Sequence, residues 1–167
     1  MTIDVSRRVR WIVLVSVVAV LIGGGVAVAI WATRDDSSSS VSQADCALVE
    51  DVGHQWYAME AAVRQVLEQG AGESSDYLAA AEHEATMAET LRKASGSASS
   101  QEIKNQLQTW ADGTALFAQT QRDVAEREPG TPPAPNVESD FIRAATKAND
   151  ASIVLVELCP NMPSEKS

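Results

Sequence analysis

The chain has 167 residues, of which 45% are apolar and 22% are charged, and its formal net charge at pH 7 is −10. The first ten residues carry a net charge of +2, which leaves −12 on the rest of the chain. Such an acidic surface repels nucleic acid and anionic lipid headgroups, so we expect no nucleic-acid partner. The chain beyond residue 31 is long enough for one small domain.

An uncharged apolar stretch runs from Trp11 to Trp31. As a helix that rises about 1.5 Å per residue, it matches the hydrocarbon core of a bilayer, which is about 30 Å thick. Tryptophan at each end suits the membrane interface, and the arginines that precede the stretch place residues 1–10 in the cytoplasm. The sequence therefore predicts a single-pass plasma-membrane protein with a transmembrane helix over 11–31 and an extracytoplasmic C-terminal domain.

Small residues within the predicted span have two further implications. The Ala27-Val28-Ala29 pattern resembles a signal-peptide cleavage site, although the apolar run exceeds the usual 7 to 15 or so residues and so favours a retained anchor. Ala19, Gly23 and Ala27 recur every fourth position, a spacing at which small residues let another transmembrane helix approach closely. Small residues are also common in membrane spans, so helix pairing and ordinary composition both remain open.

A Ser- and Asp-rich linker is predicted over 32–43, and four helical patterns follow it. Their apolar residues recur at spacings of three and four, and segments rich in Gly, Ser or Pro separate them. The predicted helices cover about 45–69, 74–95, 100–128 and 137–159. In the second helix, the predicted inward face consists of Tyr77, Leu78, Ala81, Ala85, Ala88 and Leu91.

Short connections between long helices favour an antiparallel up-down-up-down four-helix bundle. The predicted fold is therefore all-α, with a bundle over 44–160 and a disordered tail over 161–167. In such a bundle Cys46 and Cys159 meet at one end, and in an oxidising exterior they should form a disulfide. Free cysteines in a cytosolic protein, or a bridge between two chains, are the alternatives.

Two tryptophans fall at similar heights in the predicted bundle. Trp56 lies about eleven residues along the first helix and Trp110 about ten along the third, so each is roughly 15 Å from the same end. We expect them to share a layer, where they could either pack the core or line a ligand pocket.

No catalytic or metal-binding pattern is complete in the sequence. His54 follows Asp51 by three positions, but a di-iron bundle needs such a motif on two helices, and His83 has no matching carboxylate. His83-Glu84 also lacks the second histidine of a zinc-protease motif. We therefore expect no catalytic residue, metal or cofactor, two solvated histidines, and carboxylates on an outer helix face, among them Glu82, Glu84 and Glu89.

A tethered, acidic helical domain without reactive groups points to binding. We expect a non-enzymatic accessory or scaffold domain of a bacterial cell envelope, whose partner is another envelope or membrane protein. The alternative is a ligand-sensing bundle, since the layout loosely resembles the exported four-helix domains of bacterial chemoreceptors. Those receptors return through the membrane, and this sequence contains no second apolar span. The resemblance therefore implies that sensing would act through a partner membrane protein.

Overall fold

The computed structural model describes residues 41–127 and 134–163, and within them it contains four α-helices and no β-strand. These are α1 (Gln43–Gln69), α2 (Ser74–Ser97), α3 (Gln101–Ala125) and α4 (Pro135–Leu158). The predicted all-α class and four-helix bundle are confirmed. No helix in the described part of the chain is both long and apolar enough to cross a membrane. The transmembrane helix predicted over 11–31 lies outside the described residues.

Local side-chain chemistry sets where the helices begin. The Ser42 hydroxyl accepts a hydrogen bond from the Asp45 amide at 3.0 Å at the start of α1. At the start of α2, the Asp76 carboxylate accepts a hydrogen bond at 3.0 Å from the amide of Glu73, the N-cap residue, as in a capping box. Pro135 is the first residue of α4, where its fixed φ angle and missing amide proton are tolerated.

Contacts at one end of the bundle establish the direction of each helix. Asp45, near the start of α1, contacts Ser99 in the α2–α3 turn, and Cys46 is bonded to Cys159, just after α4. The start of α1, the α2–α3 turn and the end of α4 therefore share one end, which we call the clasped end. Helices α1 and α3 run away from it and α2 and α4 return, which is the predicted up-down-up-down order.

The core is built from a few large side chains among many small ones. Trp110, Leu91, Ile103, Leu107 and Leu155 are fully buried, and alanines fill much of the remaining interface. A Cβ atom added at Gly113 of α3 would lie 2.9 Å from the backbone oxygen of Ala144 and 2.9 Å from the backbone nitrogen of Ala148. Helices α3 and α4 therefore cross at a distance that only glycine at position 113 permits.

Two details differ from the sequence-based expectations. Leu78, predicted to face inward, is 47% exposed, because the buried stripe of α2 passes through Ala80, Ala81 and Leu91 and leaves position 78 outside it. Met162 falls in the predicted disordered tail, yet it is buried, and together with Pro163 it packs against Gly53 of α1. The folded domain thus continues to residue 163, while 164–167 lie outside the described residues.

Candidate functional site

The clasped end joins α1 to the rest of the bundle through two consecutive residues. Cys46 and Cys159 form a disulfide with their Cα atoms 5.2 Å apart, which confirms the predicted pairing and uses both cysteines of the chain. The bond closes a sequence separation of 113 residues. It ties the first turn of α1 to the residue that follows α4.

Asp45, the residue before Cys46, is buried and fully engaged at the clasped end. Its carboxylate accepts hydrogen bonds from the Ser99 amide at 2.7 Å, the Ser99 hydroxyl at 2.7 Å and the Ser100 amide at 3.0 Å. The bonds from Ser99 are the largest cause of the lowered pKa of this carboxyl, which falls to about 2 despite its burial. Asp45 is therefore a carboxylate at neutral pH, and it joins α1 to the α2–α3 turn.

The position of Asp45 also suits the electrostatics of α3. Its carboxylate lies at the start of that helix, where Ser100 is the N-cap and unpaired amide groups give the helix end a partial positive charge. A negative charge at this place stabilises the helix that it caps. The sequence offers little warning of this contact, because Asp45 and Ser99 are 54 positions apart.

The predicted tryptophan layer brings Trp56 and Trp110 together. Their ring centroids are 5.0 Å apart with planes inclined at 51°, a tilted geometry that aromatic pairs favour. Trp110 belongs to the buried core cluster, and the half-buried Trp56 packs against that cluster. The pair thus shares one layer of the core, as predicted, and neither ring lines the surface groove described next.

A shallow groove of about 270 Å³ lies between α1 and α2. Met59 and Met87 are its buried residues, and polar side chains of both helices surround them. Its lining consists of Gln55, Ala58, Met59, His83, Thr86, Met87 and Thr90. His83 is exposed here, and His54 is exposed elsewhere on α1, as expected for solvated histidines.

Glu84 contradicts the expectation that the carboxylates of α2 are solvated. Only 6% of this residue is exposed, and its Oε2 atom has no hydrogen-bond partner among the described residues. Burial raises the pKa of its carboxyl to about 8, against the opposing effects of a hydrogen bond with Gln121 and the charge of Arg122. The signal was present in the sequence, because Glu84 lies seven positions from both Tyr77 and Leu91, which were assigned to the inward face.

Other predicted features lie outside the site. Ala19, Gly23 and Ala27, proposed for transmembrane helix packing, are not among the described residues. Within 41–127 and 134–163, no group of three or more His, Cys, Asp or Glu residues is arranged to hold a metal ion.

In comparisons with known proteins, no protein-family model, curated protein or solved structure matches this sequence.

Proposed function

We propose that this protein is a membrane-anchored, extracytoplasmic interaction domain of a bacterial cell envelope, which acts as an accessory or scaffold for another envelope or membrane protein. The observation that carries the proposal is the Cys46–Cys159 disulfide, because such bonds persist in oxidising compartments and are rare in the cytosol. An outward-facing domain agrees with the charge asymmetry around the apolar segment 11–31. In this proposal the bundle binds a partner through its helix faces and has no catalytic role.

Exposed apolar side chains of α4 supply a surface for such contacts. Ile142 and Ile153 are 56% and 50% exposed. They are eleven positions apart, which is close to three helical turns, so they lie on one face about 16 Å apart. Single exposed apolar residues are common, and the proposal does not require that this face be the interface.

The first test concerns the compartment. Intact cells are treated with a membrane-permeant reagent that alkylates free thiols. After lysis the disulfides are reduced, and a second, heavier thiol reagent labels the cysteines that the first reagent did not reach. The gel shift of the full-length protein then shows whether Cys46 and Cys159 were paired in the cell. We expect both cysteines to be protected from the first reagent, because they are paired in the cell. Two alkylated thiols would contradict an extracytoplasmic location.

The second test concerns the partner. The tagged full-length protein is extracted in mild detergent beside two variants: Cys46→Ser/Cys159→Ser, which opens the clasped end, and a chimera whose segment 11–31 is replaced by an unrelated apolar span. We expect the same partner to co-purify with the wild type and the chimera and to be reduced with the Ser variant. A partner that follows segment 11–31, or no association above background, would overturn the scaffold role.

The groove between α1 and α2 is the observation that favours the second candidate, a ligand-sensing bundle that acts through a partner membrane protein. Methionine side chains adapt to varied ligands, and the surrounding His, Gln and Thr residues could orient one. A small-molecule screen read by thermal melting separates the two roles. A sensor should show a ligand-dependent increase in Tm that Met87→Ala removes, whereas a scaffold should show none.

A further inference from the structure

The buried carboxyl of Glu84 lies in the interface between α2 and α3, away from the clasped end. It occupies the stripe of α2 that also holds the buried Ala81, Ala88 and Leu91, where an apolar side chain would ordinarily pack. Its Oε2 atom is buried and unpartnered among the described residues. An unpartnered carboxylate oxygen in such a place carries a large desolvation cost.

The groups that act on this carboxyl both belong to α3. Gln121 offers a neutral hydrogen bond and Arg122 a positive charge. These two interactions favour the carboxylate, but they are weaker than the effect of burial, which raises the pKa to about 8. Near neutral pH the folded domain therefore holds Glu84 mainly as the uncharged acid.

We propose that Glu84 is a proton-linked switch in the α2–α3 interface, in which the bundle packs tightly around the protonated acid and loosens when that proton is lost. The neutral acid needs fewer hydrogen bonds than the carboxylate, so it is tolerated in an interface that supplies few donors. Because the pKa in the folded domain is raised above the ordinary value of 4.5, folding takes up a proton. The stabilisation from Glu84 is fully present below pH 4.5 and is lost as pH rises through about 8.

Urea unfolding of the full-length protein between pH 5 and pH 8 tests the proposal. The Glu84→Gln variant removes the titration, and the Glu82→Gln variant removes an exposed carboxyl of the same helix as a matched control. We expect the folding equilibrium constant of the wild type and of Glu82→Gln to fall on the order of a hundredfold over this range, and that of Glu84→Gln to change far less. The wild type and Glu84→Gln differ only at residue 84, so the difference between their curves isolates Glu84. An equal pH dependence in Glu84→Gln and the wild type would overturn the proposal.

A second measurement on the wild type does not depend on the folding of a variant. In protein labelled with ¹³C at the glutamate side-chain carboxyls, one resonance should titrate near pH 8. Amide hydrogen exchange, corrected for its intrinsic pH dependence, should show protection at the buried positions of α2 and α3 decreasing between pH 6 and pH 9. Titration of every glutamate below pH 6, or unchanged protection along α2, would contradict a switch at this interface.

Discussion

The clasped end and the α2–α3 interface each bury one carboxyl group, yet the two groups have opposite charge states. Asp45 is 4% exposed and Glu84 is 6% exposed, but loss of solvation is the largest influence only on the pKa of Glu84. The pKa of Asp45 is lowered to about 2, whereas that of Glu84 is raised to about 8. Hydrogen-bond donors add to this difference: Asp45 accepts from two backbone amides and a hydroxyl, while one oxygen of Glu84 accepts from none among the described residues.

Backbone geometry explains why the donors differ. Asp45 faces a turn and the first residues of α3, where amide protons have no partner within the helix. Glu84 interacts with Gln121 and Arg122 in the last turn of α3, where each amide already donates to a carbonyl four residues earlier. A buried carboxyl is therefore readily kept ionised at a helix start, whereas beside the last turn of a helix it depends on scarce side-chain donors.

The disulfide gives the largest expected effect at the clasped end. The Cys46→Ser/Cys159→Ser variant should lose about 4 kcal/mol of unfolding free energy, because the bond closes a loop of more than 100 residues in the unfolded chain. Urea unfolding of the full-length protein measures the loss. Reductant should destabilise the wild type by a similar amount and leave the variant unchanged. Equal stability of the wild type with and without reductant would contradict the prediction.

Removal of the Asp45 carboxylate should cost less than loss of the disulfide. We expect Asp45→Ala to lower the unfolding free energy by about 2 kcal/mol, since it leaves donors of Ser99 and Ser100 unpaired in a place where water only partly replaces the carboxylate. Asp51→Ala, at an exposed position of the same helix, should change it by no more than about 0.5 kcal/mol. Similar losses in the two variants would show that the contact at the clasped end contributes little.

The two carboxyls should also respond to pH in opposite directions. The pKa of Asp45 is lowered below its ordinary value of 3.8, so its contribution is present above that value and is lost as pH falls through about 2. Unfolding curves from pH 5 to pH 2 should show this loss in the wild type and in Asp51→Asn, but a smaller one in Asp45→Asn. Parallel curves for all three proteins would assign the acid sensitivity to other groups.

A single hydroxyl should give the smallest effect. Ser99→Ala removes one donor to Asp45 but keeps the Ser99 amide in place, so we expect a loss of about 1 kcal/mol. Ser97→Ala is the matched control, since within the described part of the chain the Ser97 hydroxyl donates to the carbonyl of Lys93 in its own helix. If Ser99→Ala lowered the unfolding free energy as much as Asp45→Ala does, the hydrogen bonds from the Ser99 and Ser100 amides would contribute no stability without the Ser99 hydroxyl.

Much of the fold was predictable from the sequence because it depends on periodic patterns. Apolar spacing located all four helices, and the alternation of their directions brought Cys46 to Cys159 and Trp56 to Trp110. Heptad spacing also placed Glu84 at a core position, but the general preference of carboxylates for solvent outweighed that signal in our prediction. The preference fails at this position because the carboxyl can lose its charge by taking up a proton.

The Asp45 contact could not be predicted in the same way. The contact requires two amides and a hydroxyl of the α2–α3 turn to lie beside the first turn of α1. No local sequence pattern predicts that these two segments meet. The packing of Met162 on Gly53 was missed for a related reason. Composition suggested a tail at this position, whereas the contact depends on where the preceding disulfide directs the chain.

The closeness of Cys46 to Cys159 has a consequence for protein engineering. With Cα atoms 5.2 Å apart, Cys46 and Cys159 bring the first turn of α1 beside the end of α4. Domains with neighbouring termini tolerate circular permutation and insertion into surface loops. A peptide long enough to run from residue 163, beside Gly53, back to residue 41, with new termini opened in the α1–α2 turn around Gly72, should yield a permuted bundle. The unpermuted bundle should fit within a loop of an unrelated host and leave the host's backbone nearly undisturbed.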